Sequence, residues 1–177
     1  MINAYIIRIK DSEQSSRAAD RLILSMPTII KPVLFDAVVP DQVDRLMKKY
    51  KLKWTWPWEG QEFDFKSGLI MTAYPTVEPK KRIGCFLSHY MLWERCVKND
   101  EHMIINEHDA LYFSNENLPI EKFEESRYNI IGLNTPIRAT RLASGYDRVV
   151  QESTNDIVRA PQIDNHNIPQ GIAGNSS

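Results

Sequence analysis

The chain has only two cysteines, Cys85 and Cys96. Both fall in one stretch that reads as a single helix, Cys85 at its start and Cys96 in its last turn. That placement keeps them from bonding to each other, so they read as small buried groups in a reducing compartment. Long hydrophobic runs are also missing. None reaches the length of a membrane span. No basic segment followed by an apolar stretch opens the chain, so the sequence predicts no secretory leader. Charge of one sign is missing as well. Lys and Arg total 22 against 23 Asp and Glu, a net charge of −1. Without an extended basic block, electrostatics gives no support for nucleic acid as a partner. The 7 glycines form neither G-x-G-x-x-G nor a Walker sequence after a predicted strand, which disfavours a dehydrogenase or phosphoribosyl fold.

What is present is ordinary for a globular protein: 177 residues and 42% hydrophobic content, one domain's worth of chain. One stretch, Ile83 to Tyr112, organises the rest. Phe86, Tyr90, Trp93 and Val97 recur at spacings of four, three and four, widened by Leu87 and Met91, and predict an amphipathic helix. Gly84 and Ser88 are placed to start it, and Lys98, Asn99 and Asp100 end it. His102 to Asn106 then predicts a short strand buried on both faces. Glu107, His108 and Asp109 follow at its exit, a common location for a site in an open α/β sheet. Carboxylates two residues apart can share a hard cation such as Mn²⁺ or Mg²⁺, with a substrate's phosphates completing the shell. Taken alone, the tripeptide is a weak pattern and reads more readily as an acidic surface turn.

Ahead of this stretch, Ala4–Ile9 predicts a first strand, Ser15–Met26 a helix stopped by Pro27, and Ile29–Ala37 a second strand. That order implies a parallel βαβ unit. Pro40–Lys51 predicts a short helix. Residues 52–80 read as an aromatic-rich insertion. Trp54, Trp56 and Trp58 alternate there, and Pro57 argues against a central strand. The cluster is either a local aromatic core or a flat platform for a sugar face. Lys80, Lys81 and Arg82 form a charged approach to the central helix. Beyond the acids, Asn117–Tyr128 predicts a helix and Tyr128–Leu133 a strand.

The run Gly84-Cys85-Phe86-Leu87-Ser88-His89, then Met103-Ile104-Ile105, then Glu107-His108-Asp109 resembles glycosyltransferase family 25. This family covers lipopolysaccharide outer-core biosynthesis and the procollagen galactosyltransferases. Its pattern is G-C-x-x-S-H at a helix, followed by a hydrophobic strand ending in E-D-D. Here His108 replaces the middle acid. Arg8 stands where the family has an asparagine near the end of its first strand. Asp36 and Ala37 match its acid and alanine after the second strand. The polar tail, Arg138 to Ser177, ends where the family continues into a further strand and helix. The chain is therefore expected to be a single glycosyltransferase-like domain, 1–177, incomplete at the C-terminus.

The resemblance implies a GT-A-like, Rossmann-like fold: an open, mostly parallel α/β sheet with flanking helices, lacking the C-terminal elements. It implies transfer of a hexose from a UDP-sugar, UDP-galactose or UDP-glucose, to a sugar or glycan hydroxyl, assisted by Mn²⁺ or Mg²⁺. Glu107 and Asp109 would hold the metal, Asp109 more directly, with Glu107, His108 and Asp109 as the catalytic group. The donor side would comprise Arg8, Arg17, Ser88 and His89. For the arginines, solvated surface charge is the competing reading. An inverting transfer needs a base on the acceptor side, for which His108 and His89 are considered. The expected location is cytoplasmic, peripheral to a membrane that carries the acceptor. Two other classes stay open: a nucleotide-sugar-binding domain without turnover, and an α/β interaction domain.

Overall fold

The computed structural model describes residues 1–65, 68–73, 76–113, 118, 120–126 and 130–133. Two compact units divide the chain: Met1–Thr55 with Thr76–Leu118, and Trp56–Pro75 with Pro119–Ser177.

The first unit is built on a parallel sheet. β1 (Ile2–Arg8), β2 (Ile30–Asp36) and β5 (Met103–Glu107) lie in the order β2-β1-β5. Both neighbours pair parallel to β1, with Arg8 opposite Asp36 and Ile7 opposite Glu107. β1 is the strand covered on both faces, since Ala4, Tyr5, Ile6 and Ile7 are all buried. The alternation of a strand sends Ile6 toward Ala19 and Leu22 of α1 (Glu13–Ser25), and sends Tyr5 and Ile7 toward Leu92 of α3 (Pro79–Asn99). Helices thus flank the open sheet, as the α/β expectation requires. Pro32 sits within β2. Having β1 as its one neighbour among the described strands, β2 tolerates a residue that cannot donate to the ladder.

Local chemistry sets the helix ends. Ser12 caps α1 by accepting the Ser15 amide at 3.2 Å. Pro40 and Pro79 open α2 (Pro40–Tyr50) and α3, where a missing N–H costs nothing. Lys51 and Asp100 close them in the left-handed conformation, at φ 54° and 49°. A core of Val38, Val43, Leu46 and Leu87 joins α2 to α3.

Three expectations change. The central helix starts at Pro79 rather than near Gly84, so Lys80, Lys81 and Arg82 belong to its first turns and Gly84 and Ser88 to its interior. Its core line is Gly84, Leu87, Ser88 and Leu92, while Trp93 is 43% and Val97 83% exposed. The aromatic periodicity marked a flank, because the backbone must approach closely at Gly84 and only small residues permit that. Finally, β5 is not buried on both faces: within it only Ile104 is fully covered, because β5 has one neighbouring strand among the described residues.

In the second unit, β3 (Gln61–Asp64) and β4 (Leu69–Thr72) form an antiparallel pair. The Trp56 indole N–H donates to the Thr72 carbonyl at 2.9 Å. α4 (Ile120–Glu124) occupies part of the helix expected over Asn117–Tyr128. Residues 130–133 carry no strand, contrary to the strand expected over Tyr128–Leu133, whose first two residues lie outside the described residues. The tail from Arg138 also lies outside them. No described helix is long and apolar enough to cross a membrane.

Candidate functional site

The strand order places the site. From β1 the chain crosses through α1 to β2 on one side, whereas β5 adds on the other. The sequence order therefore reverses between β1 and β5, and the carboxyl ends of these strands flank the crevice where open α/β sheets bind ligands. Arg8 ends β1 and Glu107 ends β5.

Glu107 is the centre of a polar cluster. His89 Nε2 lies 3.3 Å from its Oε1, and the Cys85 thiol donates to the same oxygen at 3.7 Å. Cys85 and His89 are four residues apart on α3, which puts both on the helix face nearest the strand end. The ligand atoms of Cys85, His89 and Glu107 all lie within 4.8 Å of one another. The His89 hydrogen bond, then its charge and the Cys85 thiol, hold the Glu107 carboxyl below the usual carboxylate range against the opposing effect of burial. Although Cys85 as a residue is exposed, local desolvation of its thiol first, and then the Glu107 charge, push that thiol up to about 11.

After β5 the backbone turns at once. The Ala110 amide donates to the Glu107 carbonyl at 3.1 Å, so Glu107, His108, Asp109 and Ala110 form one turn. Asp109 is exposed and stands outside the Cys85–His89–Glu107 group. His108 is partly buried beside it. Glu107 and Asp109 both carry oxygen donors, the type a hard divalent cation takes, but among the described residues the side chains gathered around Glu107 are Cys85 and His89, not Asp109.

The predicted donor-side residues divide. Arg8 reaches Asp36 Oδ1 and Ser16 Oγ, each at 3.5 Å. Its Nε is buried and has no hydrogen-bond partner among the described residues. Arg17 projects from α1 into solvent and pairs with Glu13 one turn away. Ser88 is fully buried. Its Oγ accepts the Val38 amide at 2.9 Å and donates to the Gly84 carbonyl at 2.8 Å, so its polar capacity is used within the fold. His89 alone of the pair from G-C-x-x-S-H reaches Glu107. In the charged approach, Lys80 pairs with Asp44 at 2.6 Å and Lys81 with Glu78 at 2.9 Å.

Sequence reasoning left Cys85 out of the site, treating it as a small buried group, whereas the residue is exposed. The signal available was its i, i+4 spacing to His89. The aromatic segment also separates. Trp54 packs edge-on against Phe86 of α3 at 5.9 Å between ring centroids, whereas Trp56 is bound to its own hairpin strand.

The model of Glycosyltransferase family 25 (LPS biosynthesis protein) matches residues 1–154. No curated protein and no solved structure matches the chain. The match spans the parallel sheet, the G-C-x-x-S-H helix and the acid turn, and the chain belongs to glycosyltransferase family 25.

Proposed function

We propose that this chain transfers a hexose from a nucleotide-diphosphate sugar, UDP-galactose or UDP-glucose, to a hydroxyl of a sugar or glycan. The observation that carries the reading is that Arg8 and Glu107 end β1 and β5, the two strands between which the strand order reverses. Arg8 supplies a partly exposed guanidinium at the end of β1, suited to a phosphate oxygen. Arg17, on the exposed face of α1, adds positive charge. Glu107 and Asp109 hold Mn²⁺ or Mg²⁺, which when bound offsets charge on the departing diphosphate. His108, between the two acids, is the group within the turn able to take the acceptor's proton. His89 fixes the Glu107 carboxylate. An acceptor in lipopolysaccharide biosynthesis would place the enzyme in the cytoplasm, at the surface of the membrane carrying that lipid.

Calorimetric titration of UDP into the chain, with and without Mn²⁺, tests the reading, followed by assay of transfer from UDP-galactose and UDP-glucose. Metal-dependent UDP binding with transfer is expected. Metal-dependent binding without transfer would identify a nucleotide-sugar-binding domain. Absence of both would leave an α/β interaction domain.

A further inference from the structure

We propose that Cys85, His89 and Glu107 form a zinc site with one open coordination position. A tetrahedral zinc with Zn–N and Zn–O bonds of about 2.0–2.1 Å and a Zn–S bond of about 2.3 Å sets its N and O ligands about 3.4 Å apart, and its S and O ligands about 3.6 Å apart. The corresponding separations are 3.3 Å for His89 Nε2 to Glu107 Oε1 and 3.7 Å for Cys85 Sγ to the same oxygen. All three atoms lie within 4.8 Å of one another. Two of the three separations therefore match a zinc tetrahedron, and the third, Cys85 to His89, closes to it by side-chain rotation on one helix face.

The donor set selects the ion. A thiolate, an imidazole and one carboxylate suit zinc, whereas Mg²⁺ and Mn²⁺ favour oxygen. The scaffold is rigid where it matters. Cys85 and His89 project from successive turns of the 21-residue α3, and Glu107 is fixed by its register with Ile7. Three protein ligands leave the fourth position to water or to a substrate oxygen, the arrangement of catalytic rather than structural zinc. On binding, the Cys85 thiol proton and any proton on His89 Nε2 pass to solvent as the Zn–S and Zn–N bonds form. The site stands independently of the hexose-transfer reading. One consequence does rest on it: Glu107 is common to both donor sets, so zinc contends with Mn²⁺ for that carboxylate.

The test uses the tag-free full chain with Zn²⁺ and with Co²⁺ as the spectroscopic substitute. Expected are one zinc per chain and a thiolate-to-cobalt charge-transfer band. Cys85→Ser should abolish the band. Cys85→Ser and His89→Gln should each weaken zinc binding by at least about tenfold, since even loss of an outer-shell partner typically costs 10–100-fold. Asp109→Asn should bind zinc as the wild type does, which separates this site from the Mn²⁺ reading. Without any variant, zinc should slow alkylation of Cys85 and leave Cys96 unaffected. No cobalt–thiolate band in the wild type, or alkylation of Cys85 at the same rate with and without zinc, overturns the proposal.

Discussion

Ser88 Oγ accepts the backbone amide of Val38 at 2.9 Å, linking the interior of α3 to the loop after β2 across 50 residues of sequence. The same hydroxyl donates to the Gly84 carbonyl one turn earlier. A Cβ on Gly84 would lie 2.5 Å from the Val38 carbonyl oxygen. Glycine and serine thus let α3 and that loop meet backbone to backbone, which sets the position from which Cys85 and His89 reach Glu107.

Ser88→Ala is expected to lower stability by about 1–3 kcal/mol, because the Val38 amide would remain buried without an acceptor. Gly84→Ala brings two opposed effects. Alanine favours the helix by up to about 1 kcal/mol, but a methyl forced against a backbone carbonyl costs about 1–3 kcal/mol. Net destabilisation is expected in urea unfolding. A Gly84→Ala chain as stable as wild type would show that α3 and the loop can separate freely.

Asp109→Asn preserves size and removes the charge. Because Asp109 is exposed, the folded chain should change in stability by less than about 0.5 kcal/mol, yet lose Mn²⁺-dependent UDP binding in calorimetry. His108→Asp restores the family's third acid. It should strengthen metal-dependent binding and, with the base removed, lower transfer. Unchanged binding in Asp109→Asn would reduce Glu107-His108-Asp109 to an ordinary turn.

Glu101 makes stability depend on pH. The Asn3 amide donates to its Oε1 at 2.6 Å, and the Tyr5 hydroxyl at 3.1 Å. These bonds, Asn3 first, and the nearby Arg95 charge outweigh desolvation and hold the carboxyl below its usual range. A folded-state pKa below the unfolded one contributes stability above the unfolded value of about 4.3. That contribution is lost as pH falls through the lower folded value. Urea midpoints should therefore decline on acidification below about pH 4.3, and Glu101→Gln should flatten part of the slope. An identical slope in the variant would refute this assignment.

Trp54 and Trp56 should behave differently. Trp54→Ala removes the edge contact with Phe86 and should cost about 1–3 kcal/mol, short of the ~3–5 kcal/mol of a fully buried ring, because the indole is only half-buried. Trp56→Ala, if the hairpin presents a sugar platform, should raise acceptor KM with little change in unfolding. Loss of stability with unaltered acceptor kinetics would assign Trp56 to packing alone.

Local pattern determined much of the first unit. The apolar runs at Tyr5–Ile7, Val33–Phe35 and Met103–Ile105, with Pro27 and Pro40 as punctuation, are enough to specify alternating strands and helices. A strand followed by a helix and another strand closes most simply as a parallel pair. The position of Glu107 at the end of β5 was also legible, because an apolar run leading directly into a carboxylate marks a strand's exit. Tertiary structure decided what these residues touch. Periodicity ranked Phe86, Tyr90 and Trp93 as the core face of α3, since hydrophobicity carries no information about how closely a neighbouring backbone approaches. The Val38 carbonyl oxygen, 2.5 Å from where a Cβ on residue 84 would sit, turned that helix onto its small residues instead. The same rotation sealed Ser88 inside and brought Cys85 and His89 to Glu107. These contacts span 22 and 18 residues of chain, and the packing of α3 against the sheet creates them.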